Sequence, residues 1–230
     1  LNRVDKAIEN FNERRSSEAV LVKAQKEFMG WNHKGWEGLG AFDSNERKLA
    51  NDLLGFKGSI VFPTVAFDQV LAAKDQSIVL GGVKALNRGM ASFCQDDSRM
   101  YGVAYIPFHF GAEVALDYLK DAIKQGFSVI AIDTIAPHGC KSSTHPDFDC
   151  VWQEIQEADI AITLHVGIDN SWDPVPLSFY SNAGTVPTHK QGDAPRDALA
   201  YVGIAYCAEL FLASMIFDGI FDRFPKLRVG

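Results

Sequence analysis

The sequence predicts an α/β fold built on a parallel sheet, and three observations predict it. From residue 58 onward, short β-branched runs alternate with longer stretches of helical apolar spacing. Prolines and glycines (Pro63, Pro107, Gly126) close individual segments. Three strand-then-helix repeats follow one another without interruption, the order that crossover connections between parallel strands produce.

The amino-terminal 57 residues differ in kind. A charged helix is expected over 17–29, then an aromatic and glycine-rich stretch over 31–42, then a helix over 44–54 with Ser44 as its cap. Arg47 and Lys48, early in that helix, oppose its dipole. Gly58-Ser59-Ile60-Val61-Phe62 predicts a strand ended by Pro63, and a helix is expected over 79–93. A strand over 101–106 ends at Pro107. Val114, Leu116, Leu119 and Ile123 then fall on helical spacing over 112–125, with Gly126 as the stop.

Next come a strand over 128–132, a helix over 147–158 and a strand over 160–165. The pattern then lapses for roughly thirty residues, with prolines at 174, 176, 187 and 195, as in a binding loop or lid. Helical character returns over 198–224. After Pro225, Leu227-Arg228-Val229 starts a further strand, so the sequence is expected to continue past Gly230.

Composition narrows the function classes. The chain has 230 residues, 47% hydrophobic and 22% charged, which suits a soluble globular protein of one or two domains. Its net charge of −7, from 22 basic against 29 acidic residues, provides no footprint for nucleic acid or an anionic membrane. No apolar run approaches the ~20 residues that span a bilayer, and the first residues lack a secretory layout, so a cytoplasmic location is expected. The cysteines (Cys94, Cys140, Cys150, Cys207) have no CxxC spacing and read as free thiols. Apolar helical surroundings make Cys94 an inert one. The glycines between 35 and 40 precede no strand-to-helix phosphate turn, which leaves no dinucleotide site.

The most informative segment is Leu164-His165-Val166-Gly167, where an apolar run ends in histidine and then glycine. An imidazole at the carboxyl end of a buried strand is placed to aim a metal ligand into a pocket. The competing reading is a strand-end histidine satisfied by backbone and water.

Several segments together carry a family resemblance. They are Asn87-Arg88 through Phe93-Cys94, Arg99-Met100-Tyr101-Gly102-Val103-Ala104, and Gly126-Phe127 ahead of the strand that runs to Asp133. His145-Pro146-Asp147-Phe148-Asp149 with Val151-Trp152, the His165 motif, and Phe217-Asp218-Gly219-Ile220-Phe221-Asp222-Arg223-Phe224-Pro225-Lys226-Leu227 complete the series. In this order they resemble the amidohydrolase-related family, metal-dependent TIM-barrel enzymes that include aminocarboxymuconate-semialdehyde and resorcylate-type decarboxylases.

The resemblance implies a (β/α)8 barrel segment over 58–230, carrying about strands two to six, with residues 1–57 as a helical insertion packed on it. It implies a divalent metal, zinc or manganese, with His165 as one ligand. The family's His-x-His pair has no counterpart in this sequence, so the first strand is expected before Leu1 and the last two beyond Gly230. The metal is therefore expected to be incomplete or absent in this chain taken alone. The implied function is hydrolysis of a small carboxylated or cyclic organic molecule; the alternatives are non-oxidative decarboxylation, or a barrel without catalysis. A small-molecule substrate and a homodimer are the implied partners.

No catalytic residue is assigned at this level, but four further residues are candidates for substrate binding. His109, just past a strand, is weighed equally between substrate contact and structural use. Asp133, ending its strand, is either a substrate or ligand-orienting carboxylate or a turn carboxylate. His138, with Cys140, lies in a loop on the pocket side, facing substrate or solvent. Asn170 belongs with Asp169, Trp172 and His189 to the long excursion that could fold over the pocket. His145 is expected to shape the start of the following helix, and His33, between Trp31 and Trp36, to lie in a lid or an interface.

Overall fold

The structure, a computed structural model, describes residues 2–29, 38–134, 142–165, 189–191, 194–196 and 205–230. Helices α1 (Asn2–Ser16) and α2 (Glu18–Met29) come first, then α3 (Ser44–Leu54), β1 (Ser59–Val61), α4 (Thr64–Leu71), α5 (Gln76–Cys94) and β2 (Met100–Ile106). A 3-10 turn at Phe108–Phe110 leads into α6 (Ala112–Lys124) and β3 (Val129–Ile132). A second such turn at Pro146–Phe148 leads into α7 (Asp149–Glu157) and β4 (Ala161–Thr163). Short strands β5 (His189–Gln191) and β6 (Ala194–Arg196), helices α8 (Tyr206–Phe217) and α9 (Ile220–Arg223), and β7 (Arg228–Val229) complete the order.

The sheet has the order β1-β2-β3-β4-β7, and every neighbouring pair is parallel. Parallel neighbours cannot be joined by a tight turn, so each step requires a crossover, and helices supply it. The result is a five-strand arc of a (β/α)8-type barrel, the expected fold class. The register places Val103, Val129, Ala161 and Arg228 in one row, and Tyr105, Ala131 and Thr163 in the next on the same face.

Burial explains why these residues choose these elements. All four residues of β3 are buried, and β2 is buried from Gly102 to Ile106, as central parallel strands covered on both faces must be. Helix α5 buries Val79, Val83, Asn87, Met90 and Cys94, one face at helical spacing. It lies so close to β2 that a Cβ on Gly102 would meet Met90 Cγ at 2.9 Å and Cys94 Sγ at 3.1 Å, which is why glycine stands there. Helix α7 sends in Val151, Trp152 and Ile155. The Trp152 ring packs on Phe108 at 5.1 Å, and its Nε1 donates to the carbonyl of Ser143 at 2.9 Å.

The amino-terminal helices are held largely by charge. Arg14 on α1 forks onto Glu46 of α3 at 2.9 and 3.0 Å, both side chains being buried, and the backbone N of Gly40 donates to the same carboxylate at 3.1 Å. Arg99, ahead of β2, reaches Asp52 of α3 at 2.7 Å and so ties this helix to the sheet.

Several expectations are corrected. Asp43, not Ser44, caps α3: its Oδ1 accepts from the backbone N of Asn45 and of Glu46, each at 3.0 Å. Helices α1 and α4 were not anticipated. The expected strand over 160–165 is pared to Ala161–Thr163, and the helix over 147–158 opens with a 3-10 turn before Asp149. His189, expected in an unpatterned loop, lies in β5, which pairs antiparallel with β6; three polar residues facing a proline-containing partner carry no apolar alternation to betray a strand.

Candidate active site

Tyr105 is fixed before it reaches the site. Strand β1 stops opposite Gly102, so the backbone of Tyr105 on that side lies beyond the last residue pairing of β1 with β2. The side-chain amide of Asn87 takes the vacant place: Nδ2 donates to the Tyr105 carbonyl at 3.0 Å, and the Tyr105 N–H donates to Oδ1 at 2.9 Å. A primary amide presents a donor and an acceptor as a peptide does, which is why asparagine on α5 can act as a fragment of strand.

The Tyr105 hydroxyl donates to Asp133 Oδ2 at 3.0 Å. Asp133, the first residue after β3, is fully buried. Its Oδ2 also accepts from the backbone N of His109 at 3.3 Å and stands 2.9 Å from His109 Nδ1. An ionised carboxylate only accepts, so in that state the imidazole hydrogen sits on Nδ1. Asp133 Oδ1 is buried with no hydrogen-bond partner among the described residues.

The end of β4 is built differently. His165, half-buried, lies against the Phe62 ring at 4.7 Å between centroids and near Phe67 at 6.4 Å, both tilted. Phe67 in turn meets Tyr105 edge-on at 5.4 Å. Continuing the row of Tyr105, Ala131 and Thr163 by two residues along β3 and β4 brings Asp133 and His165 to corresponding positions on one face. Phe62, Phe67, Tyr105, His109, Asp133 and His165 thus gather at the carboxyl ends of four strands, the face of a β/α barrel where binding residues collect.

A family model described as Amidohydrolase matches residues 55–229. The chain belongs to the amidohydrolase family. Among solved structures, the fold of the chain is similar to that of an amidohydrolase from Mycobacterium avium subsp. paratuberculosis K-10 (18% identity, TM-score 0.63, 83% of this chain and 48% of that one). It is also similar to a 2,6-dihydroxybenzoate decarboxylase from Rhizobium (18% identity, TM-score 0.55, 80% of this chain and 53% of that one). The chain thus spans about half the length of the structures it matches. No curated protein matches it.

Of the residues expected at the site, His109 and Asp133 lie within hydrogen-bond distance of each other, and His165 lies just beyond the neighbouring strand, with Phe67 lying between its ring and Tyr105. His138 and Asn170 lie outside the described residues, as do Cys140, Asp169, Trp172 and His33. His145 accepts through Nδ1 from the backbone N of Asp147 at 3.1 Å and caps the turn ahead of α7. Cys94 is buried, and loss of solvent pushes its thiol up to about 11, the inert state expected. Sequence reasoning missed Asn87, Tyr105, Phe62 and Phe67 as site residues. Asn87 carried the one usable signal, a polar residue on the buried face of an apolar helix.

A catalytic zinc ion of the kind the family implies needs three protein donors and an open position. Among the described residues, no group of three His, Cys, Asp or Glu side chains could hold a metal ion. The described residues therefore do not make such a centre by themselves. They offer His165 as a single candidate donor.

Proposed function

We propose that this chain forms part of an amidohydrolase-type enzyme that hydrolyses a small carboxylated or cyclic organic molecule, with His165 as one donor to a divalent ion. Zinc or manganese would polarise the substrate or activate water there. The observation that carries the reading is the position of His165: an imidazole at the carboxyl end of a barrel strand, seated against two phenylalanine rings in a chain of this family.

The other residues have roles that follow from their geometry. Phe62, half-buried against His165, offers bound substrate an aromatic wall, and Phe67, buried in the core, stands behind the imidazole. Asp133 holds the hydroxyl of Tyr105 and the imidazole of His109, so that donors and acceptors at the mouth are oriented before a ligand arrives. That aromatic wall also suits a planar ring, which favours non-oxidative decarboxylation of a ring carboxylate as the second reading.

Elemental analysis of the purified protein, with turnover measured on amide, lactone and ring-carboxylate substrates, tests the proposal. The full-length enzyme that contains this chain is expected to retain zinc or manganese, and His165→Ala in it to lose both metal and turnover. Incorporation of oxygen-18 from labelled water into product selects hydrolysis, whereas release of carbon dioxide without incorporation selects decarboxylation. Unchanged metal content and turnover in His165→Ala would remove the basis of the proposal.

A further inference from the structure

Helix α8 is apolar on every side, with Glu209 its one charged residue, yet the fold covers only one side of it. Phe211 and Met215, one turn apart, are buried in the core shared with the sheet. Opposite them, Tyr206, Leu210, Ala213 and Phe217 recur at intervals of four, three and four residues, which sets them in one row along the helix. In that row Tyr206 is 53%, Leu210 38% and Phe217 87% exposed, and Ile216 beside it is 56% exposed. Large apolar side chains at such exposure present on the order of 450 Å² per copy, the scale of the largest apolar patches on monomers and more than half of the ~800 Å² that each partner of a stable interface covers. A helix whose outer side stayed in water would carry polar residues there.

We infer that this row is the interface of a homodimer, in which α8 packs antiparallel against α8 of a second copy across a two-fold axis. Helix α8 belongs to the crossover between the parallel neighbours β4 and β7, and the helices of a β/α barrel form its outer ring. The side of α8 turned from its strands therefore points away from the barrel, whichever strands complete it. The row is also its own complement, as a two-fold interface requires. With the axis midway between Leu210 and Ala213, Tyr206 faces Phe217 of the second copy, and the larger Leu210 faces the small Ala213. Glu209 flanks the row, and this pairing sets it opposite Ser214 rather than its own copy, so no like charges meet. The inference goes beyond the proposed function and does not rest on it, since it involves neither His165 nor a metal ion.

The test is sedimentation equilibrium on the full-length enzyme that contains this chain, with circular dichroism as the check on folding. Wild type is expected to sediment as a dimer at micromolar concentration. Phe217→Asp sets a carboxylate against the Tyr206 ring of the second copy twice per dimer, and should raise the dissociation constant about a hundredfold or more with the helix content kept. Adding Tyr206→Lys to that variant puts opposite charges face to face across the axis and should recover about tenfold of the loss. Should Phe217→Asp not fold, Phe217→Ala takes its place, with a weakening of about tenfold expected. A monomeric wild type would overturn the inference, because another part of the full-length chain or another protein would then cover the row. Wild-type association in a folded Phe217 variant would overturn it as well, and so would a Tyr206→Lys addition that recovers nothing, since the antiparallel register predicts rescue by that pair.

Discussion

The mouth of the barrel arc treats its two ends in opposite ways. At β2 and β3, position is set by directed bonds: Asn87 grips the backbone of Tyr105, Tyr105 and His109 grip Asp133, and the cluster is buried. At β4, His165 is half-exposed and lies beside aromatic rings, with Phe62 at 4.7 Å and Phe67 at 6.4 Å between centroids. The first arrangement spends its polar groups on the fold, with Asp133 Oδ1 left over. The second leaves an imidazole half-exposed at the mouth. Stability and activity should therefore separate between the two ends.

The widest separation is expected from Asn87→Ala. It strips the donor and the acceptor facing the Tyr105 backbone at once, and leaving two buried groups unpaired should cost about 2–4 kcal/mol in denaturant unfolding. A loss under about 1 kcal/mol would mean that water replaces the clamp, and the contrast drawn here would be wrong. Tyr105→Phe is milder. It removes one of three donors on Asp133 Oδ2 and keeps the ring against Phe67, so a loss of about 1–2 kcal/mol is expected. Phe62→Leu, at the β4 end, should cost no more than about 1.5 kcal/mol, since an apolar group of similar size remains beside the imidazole. If Phe62→Leu proves the more damaging of these two, ring contacts rather than hydrogen bonds organise the mouth.

Legibility in the sequence follows the same divide. Asp133 and His165 could be found because a titratable residue ending an apolar run stands out against it. Their neighbours could not. Phe62 and Phe67 look like any core phenylalanine, and Tyr105 meets Asp133 across 28 positions that only strand register brings together. The strands around the site were readable from short apolar runs to within a residue or two at each end, β4 included. Helix α4 escaped because it has only eight residues and starts immediately after Pro63. Helix α1 carries Val4, Ala7, Ile8 and Phe11 at helical spacing, a short stripe passed over among its many charges; among its described side chains only Ala7 and Arg14 are buried, and Arg14 is buried by its ion pair with Glu46. Asp43 and Ser44 both have capping chemistry, and only the backbone at Asp43, with φ of −117° and ψ of 129°, decides between them.

Replacement of His165 should be nearly silent in stability and decisive in function. The most direct test is elemental analysis of the full-length enzyme containing this chain, wild type and His165→Ala, alongside their unfolding curves. A stability change of at most about 1 kcal/mol with loss of bound zinc or manganese is the predicted result. Retention of the wild-type metal content by a folded His165→Ala protein would contradict it.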